Sequence, residues 1–401
     1  MKKFLVLLLM ILGILFGCGT ANAMSLEMDW DTLWDAIGPR EAVALIAQNG
    51  TGSGAGGAFT IGTAGGCGGT ADFATVTAFE AAIEAQLTGD LTGEHCDEET
   101  ETTAYITFDT DTNSFLLKLT AQSGAEHDGT AYGNGARILM GTYDGLNFDE
   151  IGENDLDNVE ISNLAFNVEG AGNYAININD AGAGTLFKVN RCLVAGDSAT
   201  TWGIYEDSSL CDNFRITNNI IYGVGDADGD VGIGFDSTWG DGTMEVSNNT
   251  VIGCYDNIVQ EAASDNEAPT IIVKNNMAQG ALDEDYRDDN DGFGTSAYNI
   301  SMDASSPNTD YRSLTVTDSM EDAPNSNFLL DTDDGSADFV LLDNGEDLSG
   351  TFTDDILGTV RSTWYIVAHE TEAAADDSRR FFLTYRDVIN SNYSSHAGQG
   401  W

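Results

Sequence analysis

Apolar positions recur through the middle of this chain at a long, nearly constant interval. Four eight-residue stretches share one pattern: Val189–Gly196, Ile216–Gly223, Val246–Gly253 and Val273–Gly280. Their leading residues lie 27, 30 and 27 positions apart, and an earlier copy without the closing glycine starts at Ile161. Self-similarity at this period is the mark of a stacked repeat. The leaders Ile161, Val189, Ile216, Val246 and Val273 are β-branched. Two positions earlier stand Val159, Phe187, Phe214, Met244 and Ile271. Between them lie Glu160, Lys188, Arg215, Glu245 and Ile272, mostly charged. This two-residue alternation predicts a strand with one face inward in every copy.

Three positions after the leaders come Leu164, Cys192, Asn219, Asn249 and Asn276. Stacking would superpose Asn219, Asn249 and Asn276, whose amides can bond along the stack as a ladder. Five positions after the leaders, Phe166, Val194, Ile221, Val251 and Ala278 predict a second inward strand position. Glycines 196, 223, 253 and 280 would permit the bend that follows. A leucine-rich repeat would need a leucine ladder, and a propeller blade about 40–50 residues, so a parallel β-helix coil fits best. In the outward column, Glu160 is expected beside Lys188 and Arg215 beside Glu245, a cross-strand charge pairing.

The ends read differently. Lys2 and Lys3, the apolar run Phe4–Gly17 and the small residues Ala21 and Ala23 predict a signal peptide over 1–23. Leu15 to Cys18 offers a rival lipidation site at Cys18. Residues 24–100 form an N-terminal segment with capping helices and a glycine-rich connector over Gly50–Gly69. One helix is expected over Pro39–Gln48. Another carries Val76, Phe79, Ile83 and Leu87 on one face, with Thr77 and Glu80 as a capping box. Residues 101–366 are assigned to the β-helix, and 367–401 to a C-terminal cap or tail. The expected class is thus all-β: a right-handed parallel β-helix with a short helical N-terminal cap.

Charge narrows the function. The chain carries 15 basic and 66 acidic residues, a net charge of −51. Nucleic acid is disfavoured as a partner, because phosphate contacts need a basic footprint. High salt or calcium would relieve such self-repulsion. Without residues 1–23, five cysteines remain, and Cys67 with Cys96 is the best pair for a disulfide. No later apolar run is long enough to span a bilayer.

The strand pattern with Asn-Asn pairs resembles the pectin-lyase-like, right-handed parallel β-helix superfamily. The segment Asp72–Thr75 leading into a helix is similar to the N-terminal caps of that group. Asp354–Arg361 followed by Trp364, Tyr365 and Ile366 resembles its closing segments, although Tyr365 and Val367 depart from the usual ending. The resemblance implies a fold more than an activity, since the superfamily holds lyases, hydrolases, tailspikes and non-enzymatic surface proteins.

Candidate chemistry is sparse. Asp226, Asp228 and Asp230, with Asp236 nearby, alternate as a calcium loop would, although Val231 and Ser237 depart from an EF-hand. Asp283, Glu284, Asp285, Asp288, Asp289 and Asp291 form a second acidic run. Asn308-Thr309-Asp310 and Asp333-Asp334 match fragments of galacturonase-type motifs, but their partner motifs are missing. No histidine falls within residues 159–280, so no histidine base serves the central repeats. Arg191 and Arg215 are the candidate catalytic bases of a lyase-type site, with Lys188 and Arg287 behind them. The leading expectation is an exported or cell-surface scaffold, in a bacterium, that contacts a polysaccharide or other surface glycan. A calcium-dependent polysaccharide lyase or glycoside hydrolase is the alternative, and a tailspike-like adhesin the third.

Overall fold

The computed structural model describes residues 57–369, apart from short internal stretches of which the longest is 331–344. Residues 1–23, Cys18, Pro39–Gln48, Cys211, Asp236, Asp291, Asp310, Asp333, Asp334 and the tail beyond 369 lie outside the described residues. The described chain is a parallel β-solenoid built from three sheets. Sheet A has nine strands, sheet B eight and sheet C seven, each stacked in sequence order. The chain visits A, then B, then C in every complete coil. One coil, for example, comprises Asn213–Thr217, Ile220–Tyr222 and Val231–Phe235. Nine strands at about 4.8 Å make a stack about 40 Å tall.

The register follows the repeat. Phe187 pairs with Val159 and Phe214, and Val189 with Ile161 and Ile216. On sheet B, Val194 pairs with Phe166 and Ile221, and Val251 with Ala278. These columns are buried and join in one core. Aromatic rings stack along that core, with Phe108 on Phe148 at 4.9 Å and Phe148 edge-on to Phe187 at 4.9 Å. Each inward side chain therefore packs on its own equivalent one coil away. This is why the repeat tolerates Val, Phe or Met at a position but keeps it apolar.

Glycines 223, 253 and 280 adopt left-handed φ of 68°, 63° and 69°. Gly196 does not. A side chain there would meet Val224 at 2.9 Å, so its small size serves packing instead.

At the N-terminal end, helix Val76–Ile83 turns Val76, Phe79 and Ile83 into the core. Phe79 lies over Gly93, where a side chain would come within 3.0 Å of its ring. The cap is Thr75, whose Oγ1 accepts the Ala78 amide at 3.0 Å. The helix begins two residues earlier than a cap at Thr77 would require, so Thr77 falls inside its first turn. Cys67 and Cys96 are joined in a disulfide that ties the cap region to sheet A.

The described coils extend from Gly57 to Ser301. Beyond them, Met320–Asp322 and Asn327–Leu330 pair antiparallel. The segment from Gly345 to Ala368 then runs across the coils, over the corner between sheets A and B. It covers the outward residues Ile220, Met277 and Ile300 of sheet B with Ile356, Tyr365, Ile366, Val367 and Ala368.

Candidate functional site

Two surfaces bring together polar chemistry: the corner between sheets A and B, and the outer face of sheet C. At the corner, the second asparagine of each Asn-Asn pair is bonded to its neighbours through buried amides. Asn219 Nδ2 donates to Asn249 Oδ1 at 3.0 Å, and Asn249 Nδ2 to Asn276 Oδ1 at 3.0 Å. The ladder runs on to Asn299 and ends at Asn308. Asn299 escaped the sequence pattern because its coil is only 23 residues long and its leader position is Ser296. At the other end, the Cys192 amide donates to Asn219 Oδ1 at 2.8 Å. Burial pushes the Cys192 thiol up to about 12, so the group is inert.

The first asparagine of each pair has its own role. Asn218, Asn248 and Asn275 hold φ of 56°, 56° and 55°, and Asn163, which Leu164 follows, holds 61° at the equivalent position. Asparagine tolerates this left-handed corner better than other side chains. Arg191 occupies the same corner at φ 55°. Its Nη1 donates to Asp354 Oδ2 at 2.7 Å, and its carbonyl accepts from His127 Nε2 at 2.8 Å. Arg215 lies elsewhere, on the outer face of sheet A, 3.6 Å from Glu245 and 39% exposed. The two candidate bases are thus each paired with a carboxylate and are not brought into one site. In the same outward column Glu160 pairs with Lys118 at 2.5 Å, one coil below it. Lys188, in register with Glu160 on the other side, adds only its field.

The acidic runs resolve into loops that hold their own backbone. Asp230 Oδ2 accepts the amides of Asp226 and Ala227 at 3.1 and 2.9 Å, leaving Asp226 and Asp228 exposed. Burial pushes the Asp230 carboxyl up. Asp285 is buried and accepts from Asn257 Nδ2 and from the amides of Ala281, Met302 and Asp303. Asp283, Glu284 and Asp289 are exposed. Among the described residues no three His, Cys, Asp or Glu side chains converge as a metal site would require.

Sheet C carries what sequence reading missed. Its strands keep small residues where the chain passes close to the next coil. A side chain on Gly203 would meet the Gly232 carbonyl at 2.4 Å. Gly234 leaves a gap on the outer face that the Tyr205 ring covers, 2.7 Å from where a Cβ would stand. Beside it, Tyr174 and Trp202, in register on adjacent coils, stack at 4.4 Å. Trp202 meets Tyr205 at 5.1 Å. These rings lie outside the apolar core, and both Tyr174 and Trp202 are partly exposed. Trp202 Nε1 is a buried donor with no hydrogen-bond partner among the described residues.

The aromatic group continues into charge. Tyr205 Oη donates to Glu261 Oε2 at 3.1 Å across the Gly234 gap. Arg287 bonds Glu261 at 3.0 Å, Asp289 at 3.2 Å and the buried Asp256. Asp207 lies at the surface next to this network, where partial desolvation of its carboxyl and then the Glu261 charge raise its pKa. The signal for this site was not periodic: Tyr174, Trp202, Tyr205, Glu261 and Arg287 come from four coils joined by loops of unequal length.

No family model, curated protein or solved structure matches this chain. Among the described residues no helix is long and apolar enough to cross a membrane.

Proposed function

We propose that the protein is an exported β-helix scaffold, wound right-handed as in pectin-lyase-like proteins. It is secreted or held at a bacterial outer surface, with lipid anchoring through Cys18 as one route, and it contacts glycan without catalysing a reaction. The observation that carries this reading is the aromatic group Tyr174, Trp202 and Tyr205 on the outer face of a parallel sheet, next to Glu261, Asp207 and Arg287. Aromatic faces pack against the C–H faces of sugar rings, and flanking carboxylates accept hydroxyl donors. The coils beneath are a continuous apolar core, so the face needs little reorganisation to bind. The test is titration of the full chain with soluble oligosaccharides, read by tryptophan fluorescence. Binding should be lost by roughly tenfold or more in Trp202→Ala. A full chain that binds no glycan, or a Trp202→Ala variant that binds as the parent does, defeats the proposal.

One observation favours a second reading, a polysaccharide hydrolase or lyase. Asp207 and Glu261 lie in one column of sheet C, two coils apart, and the Glu261 charge adds to desolvation in raising the Asp207 pKa, the pattern of an acid and base pair. New reducing or unsaturated ends, lost in Asp207→Asn, would replace the scaffold reading with this one. Calcium at Asp226, Asp228, Asp230 and Asp236 belongs to the same alternative. A melting temperature unmoved by calcium or chelator would remove it.

A further inference from the structure

The outer face of sheet C also bears on which glycan it would accept, an inference that rests on the glycan-contact reading above. Among the described residues, the only guanidinium on the aromatic network is that of Arg287, and it is already bonded to Asp256, Glu261 and Asp289. It has three carboxylates around one positive charge, and its side chain is only 17% exposed. It is therefore poorly placed to meet an acidic ligand. Asp207 adds a further carboxylate, exposed at the end of the strand that carries Trp202 and Tyr205. The rings of Tyr174 and Trp202 supply a stacked, partly exposed surface. A ligand matched to this surface has flat apolar ring faces, hydroxyls and positive charge.

We infer that the outer face of sheet C binds a glycan bearing unsubstituted amino groups, stacked on Tyr174 and Trp202 with an ammonium directed to Asp207. A uronate chain would place carboxylates against carboxylates on a protein of net charge −51, in a site whose one cation is already engaged. A neutral chain would stack but would offer the exposed Asp207 carboxylate no counter-charge. An ammonium at Asp207 forms charge-assisted bonds. Cation attraction to the aromatic faces acts in the same direction.

The experiment compares three oligosaccharides of equal length on the full chain: glucosamine oligomers, their N-acetylated counterparts and galacturonate oligomers. The buffer is mildly acidic, so that the amines are protonated, and the readout is isothermal titration calorimetry. Glucosamine oligomers should bind about tenfold tighter than the acetylated series, and galacturonate oligomers should not bind. Asp207→Asn should bring the first two affinities to within about twofold, with an unchanged circular dichroism spectrum. Trp202→Ala should abolish glucosamine binding. If it does not, the attraction belongs to the bulk charge of the protein and the inference falls. Equal binding of the acetylated and free series, or preferential binding of galacturonate, overturns the amino-glycan inference and leaves the glycan-contact reading standing. Failure of all three series to bind removes both.

Discussion

At the scale of single residues, asparagine does two separate jobs in this chain. One residue of each Asn-Asn pair tolerates the left-handed corner, and the next bridges coils through its amide. Asn249 is the clearest case: its Nδ2 donates to the Ile216 carbonyl and to Asn276, and its Oδ1 accepts from Asn219. Asn249→Ala should leave these buried groups unpaired and cost about 2–4 kcal/mol, measured by urea unfolding. A loss below about 0.5 kcal/mol would show that the ladder adds little to stability. Glu160 gives a pH dependence. Burial opposes its charge, but the hydrogen bond and field of Lys118, helped by Lys188 and Ser162, hold its carboxyl below the usual value of 4.5. A depressed folded pKa contributes stability above the unfolded value and loses it as pH falls through the folded one. Lys118→Met should therefore lower stability at neutral pH and flatten its decline below about pH 4.5. Parallel stability curves for parent and variant would refute the coupling.

At the scale of elements, the C-terminal strap is the least repetitive part and the most specific. Arg361 is its hub. It donates to Asn218 Oδ1 and to the carbonyls of Asp354, Val367 and Ala368, beside the edge-to-face pair of Phe352 and Trp364. Further along, Asn248 Nδ2 donates to the Tyr365 carbonyl, and Asn275 exchanges bonds with the Glu346 backbone. The strap thus reads the column of left-handed corners, including Arg191, whose guanidinium sits against Gly358. This contact explains a bulky residue in a conformation that costs about 1–3 kcal/mol. Arg361→Ala should release the strap while the coils persist. Limited proteolysis would then cut between residues 345 and 369 ahead of the sheets, with β-sheet circular dichroism retained. Simultaneous loss of strap and coils would mean that the two form one cooperative unit.

At the scale of the molecule, a parallel stack with a continuous core bears a net charge of −51. Ion pairs such as Lys118–Glu160 and Arg137–Glu98 neutralise only a small part of it. Raising NaCl from about 20 mM to about 1 M should raise the melting temperature by several degrees, since screening shortens the range of self-repulsion to about 3 Å. A melting temperature independent of salt would show that the acidic surface is spaced widely enough to carry its charge without strain.

What the residues determined by themselves was the coil. Strict period-2 alternation was not needed in every strand. The columns headed by Phe187, Val189 and Val194 sufficed, because each inward side chain packs on its own equivalent one coil away. The second asparagine of each pair was legible for the same reason, as its partner is itself, one period later. Tertiary structure alone decided the rest. The strap joins Asp354 to Arg191 and Arg361 to Asn218 over separations of 163 and 143 residues, with no period to reveal them. Sheet C assembles Trp202, Tyr205, Glu261 and Arg287 across coils whose connecting loops differ in length. A repeat announces contacts between like positions. Contacts between unlike positions, on which the strap and the candidate site both depend, arise only when the stack is built.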